Sequence, residues 1–455
     1  MSALGAIVMN SLRYFINKRH AYIAAGIVIA ALVLKYFYIF HCTSFRDSLW
    51  CDMWEYWHDS FQRAWGDRTA IEQWGNFPPF YKYFCLAPFF KVLKYFGCLS
   101  HALVLIVLAN ILLYGISSCV FYLIARRLIA NRITVLIALL FYSFSYLALY
   151  VNALVMPDSL GISLTVVSTG MIIFRTDRIS VLMAGLFLGL AIALKPLLLF
   201  FGPVFMGYIF LKNDKRSRAW TVMIFTAALV IAPLMTVAEN FSVSHGRLKS
   251  IGATGGLNFL QGWGKVKRVC NKGVCIGSPG AFDEPGWRSL EIRTPSYEQG
   301  YFYRLGLNAI IQNPGVLVEK IFWFKKLFWG LLGPPLRSPP EWYDQIMPPV
   351  QDISYVMFIS LGMLGFLAGG RSGGKDIYFL FSLLISFMVF IYIFGLPERR
   401  YFLNIEFLVI ALFFVVMDRA MALYRIYRNE IRIYALVVFA FFICVPYELS
   451  AYLHQ

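Results

Sequence analysis

Between residues 20 and 450 the chain returns again and again to apolar runs of about the length that crosses a lipid bilayer. Residues 181–194, 220–237, 378–394 and 431–445 are examples, spread over the whole sequence. Crossing ~30 Å of hydrocarbon takes ~20 mostly apolar residues, and only helices or closed barrels satisfy their backbone there. Repeats of this kind leave no room for a large soluble enzyme hung from one anchor. Composition agrees: 59% of residues are hydrophobic and 14% charged, against ~25% charged in soluble domains. Any activity must therefore work at or within a membrane.

The pattern predicts an all-α polytopic membrane protein of about eleven helices. They are placed near 21–40, 99–125, 133–150, 157–174, 180–194, 196–211, 219–237, 353–369, 377–395, 401–417 and 432–450. The first run has no small-residue cleavage site after it and reads as a retained span, not a signal peptide. Residues 1–455 form a single integral-membrane domain on this reading.

Lys and Arg collect in short cytoplasmic loops, and that bias orients the chain. Arg13, Lys18 and Arg19 precede the first run, and Arg126, Arg127, Arg132, Arg175, Arg178, Lys212, Lys215, Arg216 and Arg218 fill alternate connections. Placing these inside makes residues 41–98 and 238–352 two long external loops. Residues 314–332 are apolar enough to tempt a further crossing. A crossing there would turn Arg419, Arg425, Arg428 and Arg432 outward and bury Lys320, Lys325 and Lys326 at several kcal/mol each, so it reads as an interfacial helix. The net charge of +17 follows the same loops and reports topology and phospholipid contact; nothing in it calls for nucleic acid. No zinc-spaced Cys/His set and no phosphate-binding glycine motif is present.

The external loops carry the chemistry. Trp50, Trp54, Trp57, Phe61 and Trp65 recur at steps of three and four, which predicts a helix with an aromatic face on the membrane. The same register puts Asp52, Tyr56, Asp59 and Arg63 on the opposite face. Asp158, in Met156-Pro157-Asp158, starts the fourth span on the same side of the membrane, where it serves either as a helix-start residue or in catalysis. The Gly-rich stretch 252–264 reads as a loop that could lie over a cavity, with Trp263 as a flat surface for a sugar. Cys42 with Cys51, and Cys270 with Cys275, share external loops and stand either as disulfides or as free thiols.

In order along the chain, these residues resemble a family. Asp52-Met53-Trp54-Glu55-Tyr56 is similar to the acidic first-loop motif of C-type glycosyltransferases that use polyprenyl-phosphate-linked sugars, in the branch of aminoarabinose transferases and protein O-mannosyltransferases. Phe77-Pro78-Pro79-Phe80-Tyr81 resembles its double-proline segment, Met156-Pro157-Asp158 its second acidic site, and Arg399-Arg400-Tyr401 its late Arg-Tyr motif. Leu194-Lys195-Pro196 falls where the family commonly has a basic residue before proline. Two departures stand out: Asn76-Phe77 replaces a Glu-Lys pair, and Met53 replaces a Glu.

The resemblance implies a GT-C bundle that transfers a sugar from a polyprenyl-phosphate donor to a glycolipid, polysaccharide or protein at the external face, with inversion. For a bacterial source this means the inner membrane and its periplasmic side. Asp52 is the expected general base and Asp158 the second catalytic acid. Lys195, Arg399 and Arg400 are the expected phosphate-binding cations, and Tyr56, Trp263 and Tyr401 the substrate contacts. No metal ligand is assigned, and a divalent ion stays open. Two other readings compete: a lipid-linked glycan flippase or transporter, and a polysaccharide polymerase or ligase. A transporter usually places polar groups mid-membrane in repeated halves, whereas here they cluster at helix ends.

Overall fold

The computed structural model describes residues 3–42, 52–66, 80–244, 246, 250–252, 255–263, 269–271, 274–276, 299–312, 314–315, 374–394 and 399–426. The predicted spans 353–369 and 432–450 lie outside them, as does nearly all of the predicted interfacial helix 314–332. The other nine predicted spans fall on described helices.

Helix α1 (Ala3–Phe37) runs into a π-turn at Tyr38–Cys42. Next come α2 (Asp52–Ala64), a π-helical turn at Tyr81–Leu86, α3 (Ala87–Tyr95) and α4 (Ala102–Leu128). They are followed by α5 (Arg132–Ser143), α6 (Tyr146–Asn152), α7 (Asp158–Phe174), α8 (Arg178–Leu194), α9 (Phe201–Lys212) and α10 (Arg218–Val243). Beyond these lie α11 (Gly255–Trp263), α12 (Gln299–Gln312), α13 (Lys375–Phe394) and α14 (Arg399–Ile426).

Local chemistry sets the boundaries. Asn131 accepts from the Ile133 N–H at 2.9 Å and Asp177 from the Ser180 N–H at 3.1 Å, capping α5 and α8. Pro196 stops α8, because the residue before proline is pushed out of the α region; Lys195 there has φ −137° and ψ 89°.

Two expectations change. The span predicted at 133–150 is two helices, because Ser145 Oγ accepts the Ala148 N–H at 3.1 Å and restarts the chain as α6. Three described stretches, Arg19–His41, Leu99–Leu128 and Arg218–Ser242, are long and apolar enough to cross a membrane by length and composition. Arg132–Ser143, Asp158–Phe174, Arg178–Leu194 and Pro196–Lys212 are shorter apolar helices. The helical class also admits one small hairpin, β1 (Val269–Asn271) and β2 (Val274–Ile276), which sets Cys270 opposite Cys275.

Small residues let the helices close up. A Cβ on Gly185 would stand 2.6 Å from Phe225 O, and one on Gly189 2.3 Å from Leu229 O, so α8 and α10 touch backbone to side. Ser168 Oγ donates to Ala184 O at 2.8 Å, tying α7 to α8.

The bundle has two distinct ends. At one, Asp376 of α13 meets Arg127 of α4 at 2.6 Å and Tyr208 of α9. There too Lys375 donates to Leu211 O at 2.8 Å, and Asp418 of α14 takes the N–H groups of Ala130 and Asn131 at 2.8 and 3.2 Å. The predicted basic connections therefore gather at one end. The opposite end carries α2, α3, the start of α7 and the ends of α8 and α10.

Candidate functional site

At that second end the polar face of α2 turns inward. The sequence placed Tyr56 and Asp59 looking away from the membrane; instead they are buried against the 81–86 turn. Tyr56 meets the Tyr81 ring edge-on at 5.4 Å between centroids, and Asp59 is ion-paired with the buried Lys82. Arg63 binds Glu239 of α10 at 2.7 Å and lies over the Tyr83 ring at 5.0 Å. The aromatic face is also used by protein: Trp57 and Phe61 pack on Phe90 of α3, while Trp54 remains exposed.

Asp59 and Lys82 were not singled out as site residues by sequence. Asp59 shares the helical register of Tyr56, which was a usable signal. Lys82, 23 residues further on, had none.

The start of α7 meets the end of α8 in a second ion pair. Lys195 Nζ lies 2.5 Å from Asp158 Oδ1, with side-chain exposures of 9% and 0%. A charge so buried is tolerable only when paired. The turn before Asp158 is held from behind: Asn110 of α4 donates to Leu154 O at 3.1 Å and to Asn152 O at 3.3 Å, and Ser159 Oγ donates to Asn152 Oδ1 at 2.6 Å. Gly161 leaves room for the Lys195 stem, which a Cβ there would touch at 3.4 Å.

The two ion pairs share surroundings. One apolar cluster joins Met53 and Tyr56 of α2, Tyr81, Leu154 to Met156, and Ala193 and Leu194 of α8. Burial above all, then Cys85 and Asp158, raises the Tyr81 hydroxyl above the ordinary tyrosine range. Burial likewise pushes the Cys85 thiol up to about 12, which suits a packing residue.

The remaining expected residues divide. Asp52 is the first residue of α2, and Arg399, Arg400 and Tyr401 open α14; their backbone places are described and their side chains are not. The Asn76 to Pro79 segment and Cys51 lie outside the described residues. Trp263 is corrected: the glycine-rich stretch forms helix α11 across Gly255–Trp263, and Trp263 is 4% exposed beside Phe259, not displayed on a loop. Lys195, expected as a cation seeking a phosphate, has Asp158 as its partner. Among the described residues no three His, Cys, Asp or Glu side chains stand together as a metal-ligand set.

Residues 79–238, about a third of the chain, match the model of a family of known proteins. The family matched is that of dolichyl-phosphate-mannose-protein mannosyltransferases. The matched stretch contains Lys82, Asp158 and Lys195. Among solved structures the chain is similar to the archaeal oligosaccharyltransferase AglB from Archaeoglobus fulgidus, in complex with an inhibitory peptide and a dolichol-phosphate. That likeness has 13% identity and a TM-score of 0.49, covering 93% of this chain and 54% of the other. The chain thus spans about half the length of that protein. No curated protein matches the sequence.

Proposed function

We propose that the protein transfers a sugar from a polyprenyl-phosphate-linked donor to an acceptor at the external face of a membrane, at the end of the bundle that carries α2. One observation supports this most: Asp52 heads the helix whose next turn places Tyr56 against Tyr81, beside the Asp158–Lys195 pair. In this reading the acid, the phenol hydroxyls and the cation at these helix ends meet the donor at the level of its lipid phosphate.

In this reading Asp52 takes the proton of the acceptor hydroxyl as its oxygen attacks the anomeric carbon. Attack opposite the phosphate inverts that carbon, and the C–O bond to phosphate breaks with its electrons on the leaving oxygen. Arg399 and Arg400, opening α14, and Lys195 at the end of α8 supply positive charge for the departing phosphate. Asp158 sets the place of Lys195, and Tyr56 and Tyr401 contact substrate. The acceptor is a glycolipid, a polysaccharide or a protein, and a bacterial source would put the site on the periplasmic side of the inner membrane.

The test uses purified protein and a defined polyprenyl-phosphate sugar, with release of polyprenyl phosphate as the readout. Asp52→Asn keeps the shape of the side chain and removes its basicity, so turnover should fall ~10² to 10⁴-fold with the protein still folded. Near-normal turnover would remove Asp52 as the base.

A further inference from the structure

The basic end of the bundle, opposite the candidate site, holds a cavity of about 210 Å³ lined by His20, Tyr122, Arg126, Ile129, Ala130, Arg132, Val135 and Leu136. Three helices build it: α1 contributes His20, α4 contributes Tyr122 and Arg126, and the turn into α5 contributes Ala130 and Arg132. A liquid water occupies ~30 Å³, so the space takes several waters or a group of phosphate size with part of its ester.

Its chemistry is one-sided. The lining offers an imidazole, a phenol and two guanidinium groups, and no carboxylate. Of the neighbouring charges, Arg127 is bound to Asp376, and the Asp418 carboxylate accepts from the N–H groups of Ala130 and Asn131. No described carboxylate lies within ion-pair distance of Arg126 or Arg132. His20 Nδ1 and Arg132 Nη1 are moreover buried with no hydrogen-bond partner among the described residues. A guanidinium nitrogen can only donate, and a buried charged donor left unmet is more costly than a neutral one.

We propose that this cavity binds a phosphate group, presented on the headgroup of an anionic membrane lipid. Arg suits phosphate because its planar fork donates two bonds at once, and basic pockets between membrane helices are natural headgroup sites. The adjoining surfaces favour a lipid over a soluble phosphate. Tyr22, Ile23 and Ile29 of α1 and Ile133, Ile137 and Leu140 of α5 are all exposed large apolar side chains. They form a wall along which acyl chains would run from a headgroup held at His20 and Arg132.

Native mass spectrometry of the purified chain, mixed with phosphatidylglycerol or phosphatidylcholine, tests the site. The wild type should retain phosphatidylglycerol and not phosphatidylcholine, and Arg126→Gln with Arg132→Gln should lose at least tenfold of that retention. Ala130→Trp fills the cavity with every charge kept, and should lose retention as well. Equal retention by wild type and both variants overturns the proposal. Displacement of the lipid by millimolar inorganic phosphate, with phosphate itself bound, would assign the cavity to a soluble anion and overturn the lipid source.

Discussion

Lys195 Nζ and Asp158 Oδ1, 2.5 Å apart, close the hairpin of α7 and α8 with a buried ion pair at its open end. Removing one member of such a pair leaves an uncompensated charge, at a cost of ~3–5 kcal/mol, while removing both is often nearly neutral. Asp158→Asn and Lys195→Met should each lower the melting temperature in detergent sharply. The double variant should recover most of that loss. Transfer that stays lost in the recovered double variant assigns the pair to chemistry, and restored transfer assigns it to folding alone.

The Asp59–Lys82 pair joins α2 to the 81–86 turn, as the Tyr56–Tyr81 ring contact does. It secures the helix that carries Asp52, so its loss should loosen that helix before the bundle. Lys82→Met is expected to raise amide exchange across residues 52–64 while leaving α4 and α7 protected. Unchanged exchange there would show that Arg63–Glu239 and the packing on Phe90 suffice to hold α2.

Gly189 faces the backbone of α10, where an added Cβ would come within 2.3 Å of Leu229 O. Backbone cannot yield as a flexible side chain can, and overpacking costs ~1–3 kcal/mol or more. Gly189→Leu should destabilise the protein strongly. Gly207→Ala is the control, because a Cβ there meets nothing within 4 Å; its melting temperature should stay level or rise slightly, the helix gaining ~0.5–1 kcal/mol.

The sequence made visible what depends on local chemistry. The start of α7 after Pro157, the end of α8 before Pro196 and the basic loops all follow from hydropathy and proline sterics. What stayed hidden depends on neighbours distant in sequence. The 252–264 stretch looked like a loop because glycine disfavours helix by ~1 kcal/mol per residue. It folds as α11 because Leu260 and Phe259 pack on α12, where Phe302 is buried and Gly306 leaves room for the Phe259 ring. Asp158 and Lys195 were both legible as candidates, yet their pairing required knowing how two helices meet. The inward turn of Tyr56 and Asp59 was hidden for the same reason, since periodicity separates two faces of a helix without saying which one is covered.

The described ends of the helices constrain the path of the chain and with it the sidedness of the protein. The final turn of α10 is fixed at the site end, by Glu239 on Arg63 and by Asn240 Nδ2 donating to Ser250 O at 2.6 Å. The first turn of α13 is fixed at the basic end, by Asp376 on Arg127 and Lys375 on Leu211 O. The chain therefore changes ends between these two helices. α14 runs back, since Asp418 caps the turn between α4 and α5 and Arg399 lies nineteen residues earlier in the same helix, ~28 Å away at 1.5 Å per residue. The start of α13 at Lys375 thus belongs with the basic end, and the start of α14 at Arg399 with the site end. With Lys and Arg retained on the cytoplasmic side, a cysteine-free variant carrying Ser372→Cys should label only after permeabilisation, and one carrying Glu398→Cys in intact cells. Labelling of both from one side would contradict the path of α13. The reverse pattern would turn the Asp158–Lys195 end inward and move the proposed transfer to the other face of the membrane.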